Sequence, residues 1–257
     1  CLPMMAQKNG SKAQVKPDPN FQIYLCFGQS NMEGNAAIED IDRTGVNPRF
    51  MAMYAVDDEK AGWKKGQWHT AVPPQARPST GLTPVDYFGR KMVDNLPDSI
   101  KVGTITVAVG GASIDLFDKR ICKSYLKKQP DWMKNFASQY NGNPYARLIE
   151  LAKIAQKQGV IKGILLHQGE TNNGDANWPN RVKTVYNDIL KDLNLKAEDV
   201  PLLVGETVQK DQGGICWQHI AVVDDIAKTI PTAHVISSKG CPQRGDGLHF
   251  IAESYRT

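Results

Sequence analysis

The stretch FQIYLCFGQSNMEG at residues 21–34 decides the fold. Its first seven residues form a nearly continuous apolar run, which is typical of a parallel strand that is buried on both faces. Gly28 ends this run, and Ser30 lies between that glycine and Gly34. A serine in this setting can sit on a tight turn where a helix begins. The stretch therefore predicts a strand, a turn and a helix start.

The rest of the chain repeats this alternation of apolar runs and helical patterns. Four further short apolar runs rich in β-branched residues occupy residues 102–109, 160–166, 200–204 and 233–237. Helical patterns lie between and after them, at residues 84–96, 144–158, 178–193 and 216–230. This alternation favours right-handed βαβ crossovers. We therefore expect an α/β fold, a three-layer α/β/α sandwich around a central, mostly parallel sheet of the flavodoxin-like kind.

Several residues mark the ends of the predicted helices. Thr83 and Pro84 suit the N-cap and the first position of one helix, and Pro231 stops the last one. Residues 35–81 show little periodicity and could hold a hairpin or a wall of the active site. No repeat, low-complexity segment or linker divides the chain, so residues 21–257 are predicted to form a single domain.

Composition and charge exclude several classes of protein. Of the 257 residues, 41% are hydrophobic and 23% are charged, which suits a globular protein better than a disordered one. The formal net charge is only +4 and the basic residues are scattered, whereas nucleic-acid-binding proteins concentrate them in a patch or stripe. No apolar run reaches the length of about eighteen residues that a membrane span requires. We therefore expect neither a nucleic-acid partner nor a transmembrane segment, while the oligomeric state stays open.

The two ends of the sequence carry weaker signals. Residues 1–7 are apolar and a polar stretch follows as far as residue 20, which resembles the tail of a secretory signal peptide cleaved after Ala6. We expect residues 1–20 to be a signal-peptide remnant and a disordered N-terminus, and the protein to be secreted or periplasmic. A lipoprotein acylated at Cys1 is the alternative. Residues 250–257 are expected to begin a C-terminal helix that the native protein continues.

The five cysteines are too few for a disulfide framework in a chain of this length. Cys26 lies in an apolar run and is expected to be a small buried hydrophobe. Cys216 and Cys241 fall in loop-like segments and could pair in an oxidising compartment. No CxxC pair occurs, so a zinc or redox site built on thiolates has little support.

Two polar clusters supply the residue types of nucleophilic catalysis. Ligands of an open parallel sheet bind at the carboxyl ends of its strands, where the cluster around Ser30 would lie. Asp246 and His249 are three residues apart with Gly247 between them, so the carboxylate can orient the imidazole. A serine hydroxyl needs such a base, because it is hardly ionised at neutral pH. Taken alone, the first cluster is better explained as a helix cap, and the second could equally be a surface turn.

Two further clusters follow predicted strands. Gly110 and Gly111 allow backbone N–H groups to approach a ligand, although they also suit a plain turn. Residues 167–172, HQGETN, offer amide donors. His167 and Glu170 of that cluster could instead be metal ligands, but HxxE without a matched third ligand is a weak signal, and no metal site is predicted.

Four blocks of the sequence together resemble a known family. FGQSNMEG, GGASI, HQGETN and DGLHF look like the ordered blocks of SGNH hydrolases, and they span residues 27–250. More narrowly, they resemble the branch that holds the sialate O-acetylesterase-like proteins and the family 6 carbohydrate esterases, known as acetylxylan esterases. The resemblance implies the SGNH type of α/β fold, with Ser30 as nucleophile, His249 as base and Asp246 as its partner. It implies no metal and no organic cofactor.

The resemblance also implies a set of oxyanion donors. The backbone N–H of Ser30 and that of Gly110 or Gly111 correspond to two of them. The third would be an amide side chain, with Gln168 as first choice and Asn172 as second. Glu170 is expected to brace its loop by hydrogen bonds rather than enter the chemistry. Gln29 and Asn31, which flank the serine, are expected to support the site.

The expected reaction is removal of O-acetyl groups from a carbohydrate, with acetylated xylan or a related hemicellulose as the favoured substrate. O-acetylated sialic acid is the first alternative, and an arginine placed for its carboxylate would favour it. A carbohydrate-binding protein on a decayed hydrolase fold is less compatible with a complete Ser-His-Asp set, and a lipase or thioesterase is less compatible with polar, Gly-rich motifs. Four residues of the irregular segment could form part of a sugar platform or simply pack: Trp63, Trp68, His69 and Arg77.

Overall fold

The computed structural model describes residues 16–257, so the predictions for Cys1, for Ala6 and for most of the signal-peptide remnant lie outside the described residues. In that part of the chain a seven-stranded sheet has the order β3-β2-β4-β1-β5-β6-β7. The strands are β1 Phe21–Gly28, β2 Phe50–Met53, β3 Trp68–Thr70, β4 Lys101–Ala108, β5 Val160–His167, β6 Leu202–Gly205 and β7 Ala233–Ile236.

Helices cover the sheet on both faces. The α-helices are α1 Ser30–Glu33, α2 Asp40–Arg43, α3 Pro84–Asn95, α4 Cys122–Lys127, α5 Asp131–Ser138, α6 Pro144–Ala155, α7 Trp178–Asp192, α8 Ile220–Asp224, α9 Ile226–Thr229 and α10 Ala252–Arg256. Short 3₁₀ helices occupy Ile114–Phe117, Ala197–Asp199, Lys210–Gln212 and Trp217–His219. Within residues 16–257, none of the helices combines the length and the apolar composition that a membrane span requires.

The central strand β1 is buried on both faces, as its apolar run predicts. Ile23, Leu25 and Phe27 belong to one hydrophobic cluster, which includes residues of α6 and α7. Tyr24 and Cys26 point to the opposite face and join a second cluster with residues of α3. This alternation requires apolar residues at successive positions. The α/β sandwich with a mostly parallel sheet is therefore confirmed.

Strand register brings the polar clusters together at the carboxyl ends of the central strands. Gly28 at the end of β1 pairs with Ala108 of β4 on one side and with His167 of β5 on the other. All three strands run in the same direction. The segments that follow them therefore emerge side by side at the carboxyl end, where α/β proteins bind ligands.

The structure completes or corrects the sequence-based prediction in three segments. Residues 35–81, for which a hairpin was one expectation, contain β2 and β3, which pair antiparallel with each other, while β2 pairs parallel with β4. The predicted helix 216–230 is broken into a 3₁₀ turn, α8 and α9, in a stretch where β-branched residues lower helix propensity. Residues 119–143, for which no element was predicted, contain α4 and α5.

Candidate active site

Ser30 lies at the first position of α1, immediately beyond the sharp turn that ends β1. Gly28 adopts φ +154°, and a Cβ there would lie 2.0 Å from the carbonyl oxygen of His167. Only glycine fits this close approach of β1 to the end of β5. The turn aims the Ser30 side chain at His249, and 2.8 Å separates Ser30 Oγ from His249 Nε2.

His249 is held by Asp246 in the same short loop. His249 Nδ1 lies 2.7 Å from Asp246 Oδ2. Asp246 Oδ1 accepts the backbone N–H groups of Leu248 and His249, each at 2.9 Å. With the ring proton on Nδ1, the imidazole donates to Asp246 and its Nε2 accepts from the serine hydroxyl. Two polar clusters and the resemblance to SGNH hydrolases made these three residues candidates, and the structure places them in hydrogen-bond contact.

The Asp246 carboxylate is stabilised in its charged form. Partial burial works to raise its pKa, but hydrogen bonds from His249 and from Arg244 outweigh burial and hold the pKa well below the usual range. Arg244 donates from Nε to Asp246 Oδ2 at 2.8 Å. Asp246 therefore carries its charge throughout the pH range in which an enzyme works, ready to stabilise an imidazolium.

Asn31 clamps the loop that carries the histidine. Its Nδ2 donates to the carbonyl of Leu248 at 3.0 Å, and its Oδ1 accepts the N–H of Phe250 at 3.3 Å. These two residues flank His249. The second Nδ2 hydrogen goes to Glu170 Oε1 at 2.7 Å, so Glu170 braces the loop through Asn31. A fully buried amide thus fixes the base relative to the nucleophile next to it in sequence.

Gln29, on the other side of the serine, holds the segment after β5. Its Oε1 accepts the backbone N–H groups of Gly169 and Thr171, both at 3.3 Å, and the side chain of Gln168 at 3.2 Å. Gln29 is 3% exposed, so these contacts are protected from water. The three consecutive residues 29–31 therefore connect the nucleophile to two separate loops.

Glu33 is a site residue that the sequence analysis missed. Its Oε1 accepts the N–H of Gly110 at 3.0 Å and forms an ion pair with Arg77, and both side chains are buried. Burial raises the pKa of Glu33, while the Arg77 charge and the Gly110 N–H lower it. Its spacing could have identified Glu33, because a residue three positions after Ser30 on a helix lies on the same side of that helix as the serine.

The geometry revises the expected oxyanion donors. Gly110 donates its N–H to Glu33. Gln168, the first choice for the side-chain donor, is fully buried, and its Nε2 already has three acceptors: Gln29 Oε1, Ala112 O and Asn172 Oδ1. Its two amide hydrogens are therefore taken, and the structure argues against both groups as donors.

Three other groups keep donor capacity. The backbone N–H groups of Ser30 and Gly111 have no hydrogen-bond partner among residues 16–257. Asn172, the second choice, accepts from Ile114 N and from Gln168 through Oδ1, whereas its Nδ2 makes one long contact of 3.5 Å with Asp175. Asn172 is 8% exposed and lies in the segment next to Gly111.

The four residues considered for a sugar platform pack within the protein. Trp63 and His69 stack with ring centres 3.8 Å apart. Trp68 packs against Gly103 and Phe21 near the amino ends of β4 and β1, remote from Ser30. Arg77 is 1% exposed and engaged with Glu33, so it cannot meet a substrate carboxylate in this arrangement. The packing alternative is therefore the one that the structure supports.

His167, Glu170 and the cysteines were the other candidates for chemistry, as metal ligands or as a disulfide. His167 Nδ1 lies 3.8 Å from Glu170 Oε1, and no group of three metal-ligating residues occurs within the described part of the chain. The thiols of Cys216 and Cys241 are both free, and burial raises the pKa of each.

The hydrogen-bonded arrangement of Ser30, His249 and Asp246 is suited to nucleophilic attack by a serine assisted by a histidine–aspartate pair.

Comparisons with known proteins agree with this arrangement of elements. The family described as carbohydrate esterase, sialic acid-specific acetylesterase, matches residues 20–257. A solved structure from Arabidopsis thaliana is similar with a TM-score of 0.66 at 20% identity, over 93% of this chain and 94% of that chain. NanS gives 0.64 at 15% identity, over 94% of each chain. A carbohydrate acetylesterase from Xanthomonas citri gives 0.58 at 18% identity, over 91% of this chain and 53% of that chain. At these identities the structures show a shared fold.

Proposed function

The chain belongs to the carbohydrate esterase family described as sialic acid-specific acetylesterases, and on that premise we propose that Ser30, His249 and Asp246 perform its reaction. The family match confirms the resemblance to the sialate O-acetylesterase-like branch and makes the chain a carbohydrate O-acetylesterase. The observation that carries the proposal is the continuous hydrogen-bond path, 2.8 Å from serine to histidine and 2.7 Å from histidine to aspartate. With the ring proton on Nδ1, each bond has the polarity that proton transfer from the serine requires.

The proposed reaction begins with attack of Ser30 Oγ on the acetyl carbonyl carbon. His249 Nε2 takes the serine proton as the bond forms, and Asp246 stabilises the resulting imidazolium. His249 then returns the proton to the departing sugar oxygen, leaving an acetyl-serine. Water attacks that ester with the same histidine as base, which releases acetate and restores the free serine.

The negative charge that develops on the carbonyl oxygen needs preorganised donors. We assign the backbone N–H groups of Ser30 and Gly111 and the Asn172 amide, since these keep donor capacity. Glu33 contributes indirectly, because its bond to Gly110 fixes the backbone that presents the next N–H. A single donor of this kind lowers the barrier by about 3 kcal/mol.

We propose acetylated xylan or a related hemicellulose as the carbohydrate. Arg77, the arginine considered for a sialate carboxylate, supports this choice by its burial and its pairing with Glu33. O-acetylated sialic acid is the second candidate. The family description favours it, and so does Arg244, whose side chain is 46% exposed beside the histidine–aspartate pair.

The test is acetate release from acetylated xylan and from O-acetylated sialic acid in parallel, with Ser30→Ala as the inactive control. Release from xylan that the variant lacks would support the hemicellulose substrate. Release from sialic acid alone would keep the mechanism and replace the substrate. Release from neither, by a folded protein that still cleaves a simple acetate ester, would contradict the carbohydrate specificity.

Replacement of Asn31 by leucine is expected to lower kcat about a hundredfold, because the loop on either side of His249 loses its clamp. The KM should change much less, since Asn31 is fully buried and does not face a substrate. Steady-state kinetics on an acetylated sugar, with thermal unfolding alongside, measure both effects.

The matched control for this prediction is Asn173→Leu. Asn173 is exposed and directly follows the HQGETN segment, and its side chain makes no hydrogen bond among the described residues. Its replacement should leave kcat near the wild-type value. Equal losses in the two variants would contradict the clamping role of Asn31.

A further inference from the structure

Trp132 lies beside the proposed oxyanion donors. A Cβ placed on Gly111 would be 2.7 Å from Cη2 of the Trp132 indole, so the ring edge packs directly against this glycine. The adjacent Gly110 borders the nucleophile, because a Cβ placed there would be 3.8 Å from Ser30 Cβ. The indole therefore forms part of the rim of the crevice into which Ser30 opens.

The exposure of Trp132 is unusual for an aromatic side chain in this protein. Trp132 is 48% exposed, whereas Trp178 is fully buried and Trp63 and Trp68 pack against the core. Trp217 is also partly exposed, but the ammonium of Lys210 lies 4.5 Å from its ring centre. Since the ring edge of Trp132 is occupied by Gly111, an exposed fraction this large leaves a ring face open to solvent.

The indole is held in place by its neighbours. The ring of Phe136, one helical turn later in α5, approaches it at 5.8 Å with an interplanar angle of 66°. The Arg77 guanidinium lies 4.4 Å from the centre of the Phe136 ring. The buried Glu33–Arg77 pair therefore supports the aromatic residues of α5 as well as Gly110. A surface fixed before binding costs less conformational entropy when a ligand is bound.

We propose that the exposed face of Trp132 is the platform on which the sugar ring bearing the acetyl ester stacks. The inference rests on the proposed carbohydrate acetylesterase function and names the ring contact that this site uses. One face of a pyranose presents C–H groups, which pack well on the negative face of an aromatic ring. A ring stacked on Trp132 directs an acetyl group at its edge towards Ser30 and Gly111, with its hydroxyl groups in water.

The test compares two esters that differ in the presence of a ring. The kcat/KM of Trp132→Ala is expected to fall about tenfold for a mono-O-acetylated methyl xylopyranoside and to change by less than about twofold for ethyl acetate. Trp132→Phe should recover most of the activity on the sugar, since it restores an aromatic face. Trp217→Ala, the matched control, should leave both rates unchanged, because Trp217 contacts Lys210 rather than Gly111.

Several outcomes would overturn the platform. Equal losses on both esters would mean that Trp132 acts by holding the Gly111 turn, and no loss on either would mean that the ring contact is elsewhere. A comparable sugar-specific loss in Trp217→Ala would remove the assignment to Trp132.

Failure of the proposed function would look different. A wild-type protein that cleaves ethyl acetate but no acetylated sugar would contradict the function rather than the platform. Calorimetric binding of methyl xylopyranoside to Ser30→Ala, with and without Trp132→Ala, then tests the platform separately: a weaker Kd in the double variant supports it, and an unchanged Kd rejects it.

Discussion

Replacement of Ser30 by alanine is expected to lower kcat for acetate release by about 10⁶-fold, while the protein stays folded. The Ser30 Oγ forms its hydrogen bond with His249, and its removal takes away the only atom that becomes acetylated in the proposed reaction. The residual rate would come from the oxyanion donors and from substrate binding, which remain in place. Initial rates on an acetylated sugar measure the loss, and thermal unfolding measures the Tm.

Serine 113 offers a matched control for this replacement. Ser113 also lies beyond the carboxyl end of a strand, five residues after β4, and is also nearly buried, but its Oγ accepts the N–H of Asp115 and caps the 3₁₀ helix Ile114–Phe117. Ser113→Ala should cost about 1 kcal/mol of stability and leave kcat near the wild-type value. If Ser113→Ala lost the activity and Ser30→Ala kept it, the assignment of the nucleophile would be wrong.

The parts of the fold that could be predicted are those with a strong local pattern. The apolar run 21–27 gives a clear signal, because a strand that is buried on both faces needs apolar residues at nearly every position and Gln22 is the single polar one here. β2 and β3 have only four and three residues, which is too short for a period to show. β2 forms because β4 presents an edge to which it can pair, and β3 then pairs with β2; both edges exist only in the folded protein.

The residues of the candidate site also divide into those that a local sequence pattern reveals and those that only the tertiary structure reveals. Ser30, Asp246 and His249 could be found because each lies in a short motif next to a strand end or a turn. The Glu33–Arg77 pair joins residues 44 positions apart, and no local sequence pattern indicates a contact over that separation. The preference for Gln168 was wrong in geometry because the packing of Gln29, Ala112 and Asn172 consumes its amide hydrogens, which is a property of the tertiary structure.

The second large effect, a loss of stability, is expected on replacing Arg77. Its ion pair with Glu33 is buried, and Glu33 in turn holds Gly110 in the active site. Arg77→Met should lower the free energy of unfolding by about 3–5 kcal/mol, because the Glu33 carboxylate is then left buried without its counter-charge. For a chain of this size the corresponding fall in Tm is on the order of 10 °C. Arg120, whose ion pairs with Asp118 and Asp188 are exposed, is the control, and Arg120→Met should cost at most about 1 kcal/mol.

The stability that Arg77→Met loses should also depend on pH, and the direction of that dependence follows from the pKa of Glu33. Burial raises the pKa of Glu33 in the folded protein, and removing Arg77 takes away the main charge that opposes this. Above the ordinary glutamate pKa the unfolded chain releases its proton while the folded variant retains it, so stability falls as pH rises towards the folded pKa. Arg77→Met should therefore be further below wild type at about pH 8 than at about pH 5.

A double variant separates the charge of Glu33 from its hydrogen bond. In Glu33→Gln/Arg77→Met the glutamine oxygen can still accept the Gly110 N–H, but no charge is buried. Most of the stability should return, and the additional pH dependence introduced by Arg77→Met should disappear, because the uncompensated carboxylate causes both. A double variant as unstable as Arg77→Met would show instead that the packing of the arginine against Phe136 carries the stability.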